Sequence, residues 1–471
     1  MTRRSTHRPL PSGRPEAEAT ALPEPATLYV PLTSRRLRFT QMSVRDSQEV
    51  RAGDILATAP DQSDLPLLAP RAGTVRLTAV PGHIALEVAR PAPVGTVVLD
   101  EEAIAATPPR DAVQDNRALL CRLGAWQCFR DVRTGDIPDP CHEPAALVIM
   151  VTAFDSFIAQ PEALLAGKAT DFVQGLKALH RLFSGSGCRI HVVVGEGECP
   201  TAVNEAIEAV ALDPSRFALH RVPQLYPNDN PQLATQTLKL ASPPQATVWA
   251  MGVEGVLAVA FALTLYQPYL ERTISVGGPA VEKPRHVVAA VGHPIADLLA
   301  PLPSGCSFRI VNGGLMSGTD LAPQQQGLDG ECPGLTVVHV PAAREFLGFV
   351  RPGRFRQSFS RCFLGTLFSP TPEPLTSLLG GEERACVACG HCEHVCPANL
   401  LPQVLHRYLY NDQMDDAQAL GLDECVECGL CSYVCPCKIE LREQFAVAKQ
   451  QLRSDADDAA LATAAASVTD Q

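Results

Sequence analysis

The sequence predicts an α/β multidomain protein that ends in a small helical domain rich in cysteine. Its 471 residues are enough for about three to four domains. In the middle of the chain, apolar runs of strand length alternate with segments of helical periodicity, which is typical of a mainly parallel sheet. Nine of the 17 cysteines crowd into the stretch from Cys386 to Cys437. The chain therefore combines an α/β body with a C-terminal domain built around cysteine.

The N-terminal part of the chain changes character near residue 26. Residues 1–26 are rich in Pro, Arg, Ser and Glu, a composition that predicts a disordered tail. No apolar stretch follows its basic start, which argues against a secretory signal. Residues 27–100 hold short β-type runs separated by Gly, Pro and Asp, and this pattern predicts a small β-barrel or sandwich.

Two phrases in this β-rich region resemble the half-motifs of biotinyl/lipoyl-type domains. They are V-x-A-G-D-x-L-A at Val50–Ala57 and A-P-x-x-G-T-V at Ala69–Val75. The resemblance implies a barrel-sandwich domain over residues 27–100, with a modified lysine at a hairpin tip. Arg71 and Ala72 stand at that tip, and the region contains no lysine. We therefore predict a structural or docking module rather than a swinging arm.

Residues 101–270 carry the alternation that predicts a Rossmann-like α/β domain. The strands are predicted at Ala145–Thr152, Arg189–Val194, Phe217–Val222 and Ala246–Met251, and the helices at Asp171–Phe183 and Thr201–Leu212. The loop Gly195–Pro200 joins a strand to a helix, where phosphate-binding loops occur. Its carboxylates, Glu196 and Glu198, would repel a phosphate, so a plain βα turn is the better interpretation.

The longest apolar segment, Ala246–Leu265, does not predict a membrane span. Glu254 interrupts it near the middle, and the unbroken run Val256–Leu263 is too short to cross a bilayer. A strand followed by a buried helix fits the pattern better. If the protein acts at a membrane, partner subunits must supply the spanning helices.

Residues 271–330 hold short strands with Gly-Gly-Pro and Gly-His-Pro turns, and we expect a compact domain of the β-grasp (SLBB-like) type. His293 is interpreted as part of its turn rather than as a metal ligand. Residues 331–380 are predicted to be a connector. Between Arg354 and Phe363 the connector interleaves Arg and Phe, which fits a contact with a partner and an amphipathic connector equally well.

The C-terminal domain, residues 381–453, holds two copies of the pattern C-x2-C-x2-C-x3-C-P. The first copy is Cys386, Cys389, Cys392, Cys396 and Pro397, and the second is Cys425, Cys428, Cys431, Cys435 and Pro436. This spacing is typical of a bacterial ferredoxin with two 4Fe-4S clusters. Zinc knuckles lack the third cysteine and the C-P pair, and disulfide frameworks belong to small secreted chains.

In such two-cluster modules the fourth cysteine of each motif binds the other cluster. Cluster 1 is therefore predicted to bind Cys386, Cys389, Cys392 and Cys435, and cluster 2 to bind Cys425, Cys428, Cys431 and Cys396. Cys437 is interpreted as a spare buried thiol. A closing helix is predicted at Leu441–Leu452, and residues 454–471 are predicted to be a disordered tail.

The net charge limits the possible partners of the protein, and the remaining cysteines indicate its compartment. The formal net charge is -12, which argues against nucleic acid as a partner. The eight scattered cysteines show no ligand spacing. They fit a reducing compartment, where free cysteine behaves as a small hydrophobic residue.

Several phrases together resemble the Nqr-A family, a component of the sodium-pumping NADH:quinone reductase (Nqr). They are G-A-W-Q-C-F-R at Gly124–Arg130, V-T-A-F-D at Val151–Asp155, R-T-I-S-V-G-G-P-A-V-E-K-P-R at Arg272–Arg285, E-F-L-G-F-V-R-P-G at Glu345–Gly353 and D-D-A-Q-A-L-G at Asp415–Gly421. That family has lost most of the cluster cysteines, whereas all eight are present here. The full set is similar to that of the Rnf-C family, a component of the membrane-bound Rnf complex for ferredoxin:NAD electron transfer.

The Rnf resemblance implies a Gly-rich loop that binds FMN and receives hydride from NADH, and its place here is Leu123–Arg130. Of its glycines only Gly124 is present, and we expect the bulky Trp126 and Phe129 to fill the loop. Backbone N–H groups could not then approach a phosphate. The sequence therefore argues against FMN and NADH binding in this protein.

Motif and resemblance together predict an electron-transfer subunit of an ion-translocating NADH:quinone or ferredoxin:NAD oxidoreductase complex. It would be peripheral on the cytoplasmic face of the bacterial cell membrane, bound to integral membrane subunits, with quinone as a further candidate ligand. We do not expect it to be catalytic alone. Two alternatives stay open: a docking or assembly scaffold whose clusters are structural, and a ferredoxin-domain subunit of another soluble dehydrogenase.

Overall fold

The structure of the protein, a computed structural model, describes residues 15–16, 18–77, 79–89, 113–185, 187–197, 204–205, 208, 217–240, 246–300, 307–340 and 383–469. The chain divides into two compact units. The larger unit comprises Gly13–Gly305 and Arg309–Val337, and the smaller unit comprises Met1–Ser12, Cys306–Phe308 and Val338–Gln471. The predicted Arg- and Phe-rich segment lies outside the described residues.

Two antiparallel sheets of short strands form the N-terminal part of the larger unit. After β1 (Ala19–Ala21), the strands are β2 (Thr27–Pro31), β3 (Gln41–Met42), β4 (Glu49–Val50), β5 (Ile55–Ala59), β6 (Leu65–Leu68), β7 (Gly73–Arg76) and β8 (His83–Val88). One sheet has the order β2-β8-β7-β4 and the other β3-β5-β6. Leu28, Leu56 and Leu86 are fully buried. The predicted run of short strands is confirmed.

Arg71 stands where the resembling biotinyl/lipoyl domains carry their modified lysine, and here it is buried. Its Nη2 lies 2.6 Å from Oε1 of Glu271, and its Nε donates to Glu24. The residue is 7% exposed, so a group attached there could not swing through solvent. The interior ion pairs support a structural role for this hairpin.

Strand β1 corrects one prediction for the N-terminus. It pairs in parallel with β15 (Arg285–Ala290), where Ala19 lies opposite His286. Just before it, the backbone N–H of Glu16 donates to the carbonyl of Pro284 over 3.2 Å. The prediction of a disordered tail over residues 1–26 is therefore wrong for residues 19–21. The edge of an existing sheet supplies the hydrogen bonds, so the segment needs no apolar pattern of its own.

A five-stranded sheet forms the middle of the larger unit, in the order β12-β11-β10-β13-β9. Its strands are β9 (Arg130–Asp131), β10 (Ala146–Val151), β11 (Arg189–Gly195), β12 (Phe217–Val222) and β13 (Val248–Gly252). Strands β10 to β13 are parallel, and β9 is antiparallel to β13. All four predicted strands are confirmed. Every residue of β10 is buried, as expected for a strand covered on both faces.

Helices of the larger unit accompany this sheet in sequence. They are α1 (Val113–Arg122), α2 (Pro161–Leu165), α3 (Ala169–Leu182), α4 (Pro231–Leu238) and α5 (Val253–Ala260). Of these, α4 and α5 contact the strands of the sheet. Helix α3 confirms one predicted helix, and the other lies mostly outside the described residues. Helix α5 is buried throughout, which confirms the interpretation of a strand followed by a buried helix. In the described ranges, no helix combines the length and apolarity of a membrane span.

The third sheet of the larger unit has the order β1-β15-β14-β18-β16-β17. Besides β1 and β15 it contains β14 (Glu271–Gly277), β16 (Phe308–Asn312), β17 (Thr319–Asp320) and β18 (Gly334–His339), with α6 (Ile295–Leu299) between β15 and β16. Strand β18 pairs with β14 in parallel, Gly334 opposite Ser275. The prediction of a connector starting at residue 331 is therefore wrong for residues 334–339, because their partner strand is far away in sequence.

The smaller unit has only helical secondary structure among the described residues from 383 onward. Its helices are α7 (His391–Val395), α8 (Pro402–Tyr410), α9 (Met414–Ala419), α10 (Leu430–Val434) and α11 (Leu441–Thr469). Leu405, Ala417 and Phe445 pack in its core. Helix α11 continues to Thr469, so the prediction of a disordered tail from residue 454 is wrong up to that residue. The tail is rich in alanine, which has the highest helix propensity.

Candidate metal centre

The two cysteine motifs fold into loops of the same backbone shape. Ala388 and Glu427 have φ angles of 51° and 52°, and Gly390 and Gly429 both have φ of 73°. A five-residue helix follows each loop, and the fourth cysteine of each motif caps the end of that helix. The left-handed turns bend each loop around a common space, so the motif repeated in sequence is also repeated in structure.

The structure gathers the eight cysteines around two separate cavities. The first cysteine cavity is lined by Cys386, Cys389, Cys392 and Cys435. The second cysteine cavity is lined by Cys396, Cys425, Cys428 and Cys431. Each cavity thus takes three cysteines from one motif and the fourth from the other, which is the grouping of the two predicted ligand sets.

In each cavity a backbone N–H group points at one cysteine sulfur. The nitrogen of Ala388 lies 3.4 Å from Sγ of Cys386, and the nitrogen of Leu400 lies 3.4 Å from Sγ of Cys396. Hydrogen bonds of this kind stabilise the thiolate form and tune the reduction potential of a cluster bound to it. The loops therefore carry donors as well as ligands.

Burial sets the acidity of these thiols. It raises the pKa of Cys392 and Cys425 to about 11 and that of Cys428 to about 12. Backbone N–H donors, among them that of Glu427 at Cys425, lower these pKa values in part. A metal bound beside these thiols favours their thiolate forms.

The arrangement fits a cluster better than a single ion. Within the described ranges, no group of three or more His, Cys, Asp or Glu side chains is placed to hold one metal ion. The cysteines instead stand around cavities that also have apolar walls, such as Val387 in the first and Val426 in the second. In a cubane each thiolate binds a different iron, so the sulfurs need not converge on one point.

Cys437 lines the first cysteine cavity together with the four predicted ligands. It is 2% exposed, in keeping with its interpretation as a buried thiol. The residue at the equivalent place after the first motif is Ala398, which lines the second cysteine cavity. The second cavity therefore has no counterpart of this thiol at that place.

The sequence analysis missed two cations on α11. Lys449 is 4% exposed, and its Nζ donates to the backbone carbonyl of Cys425 over 2.7 Å and lies 2.9 Å from Oε1 of Glu427. Arg442 lines the second cysteine cavity. The two residues are about two helical turns apart, so they share one face of the helix. The spacing of these two basic residues in the sequence could have revealed that they share a helix face.

The larger unit contains a cavity of about 440 Å³ that the sequence analysis did not place. Met150 and Thr152 line it from the end of β10, and Met251 and Gly252 from the end of β13. The order of the strands reverses between β10 and β13, and ligands of open parallel sheets bind at such points. The position therefore makes this cavity, the body cavity, a second candidate site.

Ion pairs form part of the wall of the body cavity. Glu331 accepts hydrogen bonds from Arg130 and Arg36, and the two arginines hold the pKa of Glu331 below its usual range although burial raises it. Nη2 of Arg272 lies 2.5 Å from Oε2 of Glu254. These lining cations are thus engaged by carboxylates of the same wall.

The loop Leu123–Arg130 borders the body cavity, but not in the expected manner. Trp126 and Phe129 are fully buried, with their rings 4.7 Å apart, and each packs edge-on against Trp249 at 5.8 Å. They point into the core, so the expectation that they fill the loop is wrong. Aromatic residues pack in cores for the large area that they bury, and the spacing of the motif did not reveal their direction.

Comparison with known proteins identifies two domain families. Residues 110–264 match the family described as NqrA second alpha/beta domain. Residues 380–436 match the family described as 4Fe-4S dicluster domain. The first match covers the five-stranded sheet with its helices, and the second covers both cysteine motifs.

Individual relatives agree with the first of these matches. The chain is 30% identical over 318 residues to the NqrA component of the Na(+)-translocating NADH-quinone reductase of Shewanella frigidimarina (strain NCIMB 400). The aligned region covers 66% of this chain and 67% of the relative. It is 28% identical over 402 residues to the same component from Glaesserella parasuis serovar 5 (strain SH0165), covering 81% and 84%. A chain in the crystal structure of NAD+-reducing [NiFe]-hydrogenase in the air-oxidized state is 17% identical over 52% of this chain and 49% of that one, with a TM-score of 0.38, too low to carry an argument.

Proposed function

Because the chain belongs to the NqrA family of the Na(+)-translocating NADH-quinone reductase, we propose that it relays electrons through two 4Fe-4S clusters within a membrane complex of that type. The observation that carries the proposal is the pair of cysteine cavities, each built from both motifs. Neither cavity can form unless the two motifs fold together, and shared ligand sets bring two clusters close to each other. The smaller unit then acts as a conductor of electrons.

The proposed ligands of each cluster are the predicted cysteines that line one cavity. We propose that cluster 1 binds Cys386, Cys389, Cys392 and Cys435, and that cluster 2 binds Cys425, Cys428, Cys431 and Cys396. Bound clusters supply one-electron chemistry. The chain itself holds the thiolates, donates N–H groups to their sulfurs and surrounds them with apolar walls, which together set the potential.

The rest of the proposal concerns location and partners. We propose that the protein lies on the cytoplasmic face of the membrane and associates with integral membrane subunits, as the name of the relatives implies for one component of a translocating enzyme. The antiparallel sheets of the N-terminal part would form a barrel-sandwich, the five-stranded part a Rossmann-like domain, and the third sheet a β-grasp domain. These three folds would make up the larger unit.

The test is purification of the native complex followed by redox analysis. The expected result is co-purification with integral membrane subunits, iron and acid-labile sulfide in the ratio of cubane clusters, and clusters that become EPR-active on reduction. Clusters that resist reduction at about -400 mV and below would support a structural scaffold instead. A preparation without membrane subunits would favour a ferredoxin-domain subunit of another dehydrogenase.

The body cavity supports a second candidate function, the binding of a quinone ring. The lining arginines Arg36, Arg130 and Arg272 are engaged by the carboxylates of Glu331 and Glu254 rather than offered to a phosphate, whereas an uncharged ring meets apolar residues such as Met150 and Met251. Equilibrium titration of the purified chain with a short-chain ubiquinone tests this function. Saturable binding of the ubiquinone supports this second function. Binding of FMN at the same site that no quinone can displace contradicts it.

A further inference from the structure

The two cysteine cavities differ in the charges that surround them. Arg442 and Glu427 line the second cysteine cavity, and Lys449 lies behind it, hydrogen-bonded to the carbonyl of Cys425 over 2.7 Å. Among the described residues that line the first cysteine cavity, none is Lys or Arg, and the cavity is bordered there by the side chains of Gln403 and His406. The asymmetry lies within one small unit whose two cysteine loops have matching φ angles.

Helix α11 is the source of the asymmetry. Arg442, Phe445 and Lys449 follow one another at spacings of three and four residues, which places them on one face of the helix. Phe445 and Arg442 both line the second cysteine cavity. The same helix reaches the first cavity only through Leu441. One cavity thus receives the cationic face of the helix and the other an apolar residue.

The charged groups placed at the second cavity are more positive than negative. Among the described residues, those that line the second cavity or hydrogen-bond to its cysteine loop comprise two cations, Arg442 and Lys449, and one carboxylate, that of Glu427, whose Oε1 lies 2.9 Å from Nζ of Lys449. The same Nζ also withdraws charge from the carbonyl of the ligand residue Cys425. Reduction of a cluster adds one negative charge. A nearby cation stabilises that charge, and more strongly at a buried site than in water.

We propose that Arg442 and Lys449 hold the potential of cluster 2 above that of cluster 1, so that an electron shared between the clusters rests on cluster 2. This inference rests on the proposed function, because it assumes that both cysteine cavities hold reducible clusters. The two cations stabilise the added electron on cluster 2 through their charge and are not ligands of the cluster. They give the pair of clusters a direction, with cluster 1 toward the donor and cluster 2 toward the acceptor.

The experiment is an EPR-monitored redox titration of the full-length chain with reconstituted clusters, comparing wild type with Lys449→Gln and Arg442→Gln. Histidine charge is removed as a variable by working well above pH ~6.5. In each variant we expect the equilibrium constant for electron transfer from cluster 1 to cluster 2 to fall about tenfold, which equals about 59 mV for one electron. Only the potential of cluster 2 should fall.

Two controls make the outcome specific. Arg407→Gln removes the same charge at an exposed residue of α8 that lines neither cysteine cavity, where solvent screens the charge, and it should leave both potentials unchanged. Lys449→Arg keeps the charge and should keep the potential difference. If Lys449→Gln takes up no iron, Arg442→Gln makes the same prediction by itself.

Failure of this inference is distinct from failure of the proposed function. Intact, reducible clusters whose potentials are unmoved in both variants, or move together, overturn the inference and leave the electron relay standing. Wild-type protein that binds no iron and sulfide, or whose clusters cannot be reduced, overturns the relay itself.

Discussion

At the residue scale, the fourth cysteine of each motif decides whether the clusters are independent or interlocked. Cys396 and Cys435 cap the ends of α7 and α10, and each lines the cavity formed by the other motif. Each five-residue helix thus carries the chain from one cavity to the other. The two sites consequently depend on the same fold.

Replacement of Cys435 should therefore damage the cluster of the first motif. We expect Cys435→Ser to lose cluster 1 and keep cluster 2, with about half of the wild-type iron. EPR of the reduced protein would show the surviving signal, and iron and sulfide analysis would give the amount. Loss confined to cluster 2 would contradict the crossed ligand sets.

Cys437 offers a matched control for this substitution. It lines the same cavity, and an alanine, Ala398, occupies its place after the first motif. Cys437→Ala should therefore retain both clusters and the wild-type amount of iron. If Cys437→Ala loses cluster 1 while Cys435→Ser keeps it, Cys437 and not Cys435 is the fourth ligand.

The buried carboxyl of Asp229 predicts a dependence of stability on pH. Burial, and to a lesser degree the charge of Asp155, raise the pKa of Asp229 to about 6, although the N–H groups of Phe154 and Asp155 lower it. The unfolded value is about 3.9. The folded chain therefore binds the extra proton between about pH 4 and pH 6, and this group's contribution to stability falls as the pH rises through that window.

Asp229→Asn removes this dependence while keeping an oxygen that can accept the N–H of Phe154, 2.6 Å away in the wild type. Between pH ~4 and pH ~7, the free energy of unfolding of the variant should rise by about 1–2 kcal/mol relative to that of wild type. Chemical denaturation at both pH values measures the gain. If the difference in the free energy of unfolding between variant and wild type is the same at both pH values, the carboxyl titrates alike in the folded and unfolded states.

At the element scale, the close approach of α3 to α5 depends on one missing side chain. A Cβ on Gly175 of α3 would lie 2.3 Å from the carbonyl oxygen of Val256 on α5. The backbone of α5 cannot yield without moving the buried helix. Helix α5 begins directly after β13, whose end lines the body cavity, so this contact also positions that cavity.

Gly175→Ala should separate the two helices and lower the free energy of unfolding by about 1–3 kcal/mol. Gly185→Ala is the control, because a Cβ at Gly185 would meet nothing within 4 Å, and we expect no loss there. Thermal or urea denaturation of both variants provides the comparison. Equal stability of the two would mean that α5 shifts at no cost.

At the scale of the whole molecule, the two compact units should respond differently to loss of the clusters. The chain has two tryptophans, Trp126 and Trp249, and both are buried in the larger unit. Their emission therefore reports on that unit alone, whereas visible absorption reports on the clusters. The two signals can be followed in the same sample.

Oxidation of the clusters followed by chelation of the iron should abolish the visible absorption and reduce the helical circular dichroism. The short helices α7 to α10 lie between or beside the cysteine motifs, and a core of so few residues gains much of its stability from bound metal. Tryptophan emission should keep its buried, blue position. A red shift that follows the loss of iron would show that the larger unit also depends on the clusters.

The sequence by itself determined what is local. The spacing of the eight cysteines predicts a two-cluster module, since three of the thiolates that bind one cubane come from cysteines a few residues apart. The continuous apolar runs specify buried parallel strands, because a strand covered on both faces needs apolar residues throughout. Both inferences follow from the chemistry of neighbouring residues.

Only the tertiary structure decided what depends on partners distant in the chain. Strand β1 and strand β18 exist because remote strands offer hydrogen bonds, and the direction of Trp126 and Phe129 follows from the core that they meet. The cations of α11 gained a role only when the helix packed beside one of two equivalent cavities. Such pairings are selected by the packed fold as a whole, and no single segment carries their signal.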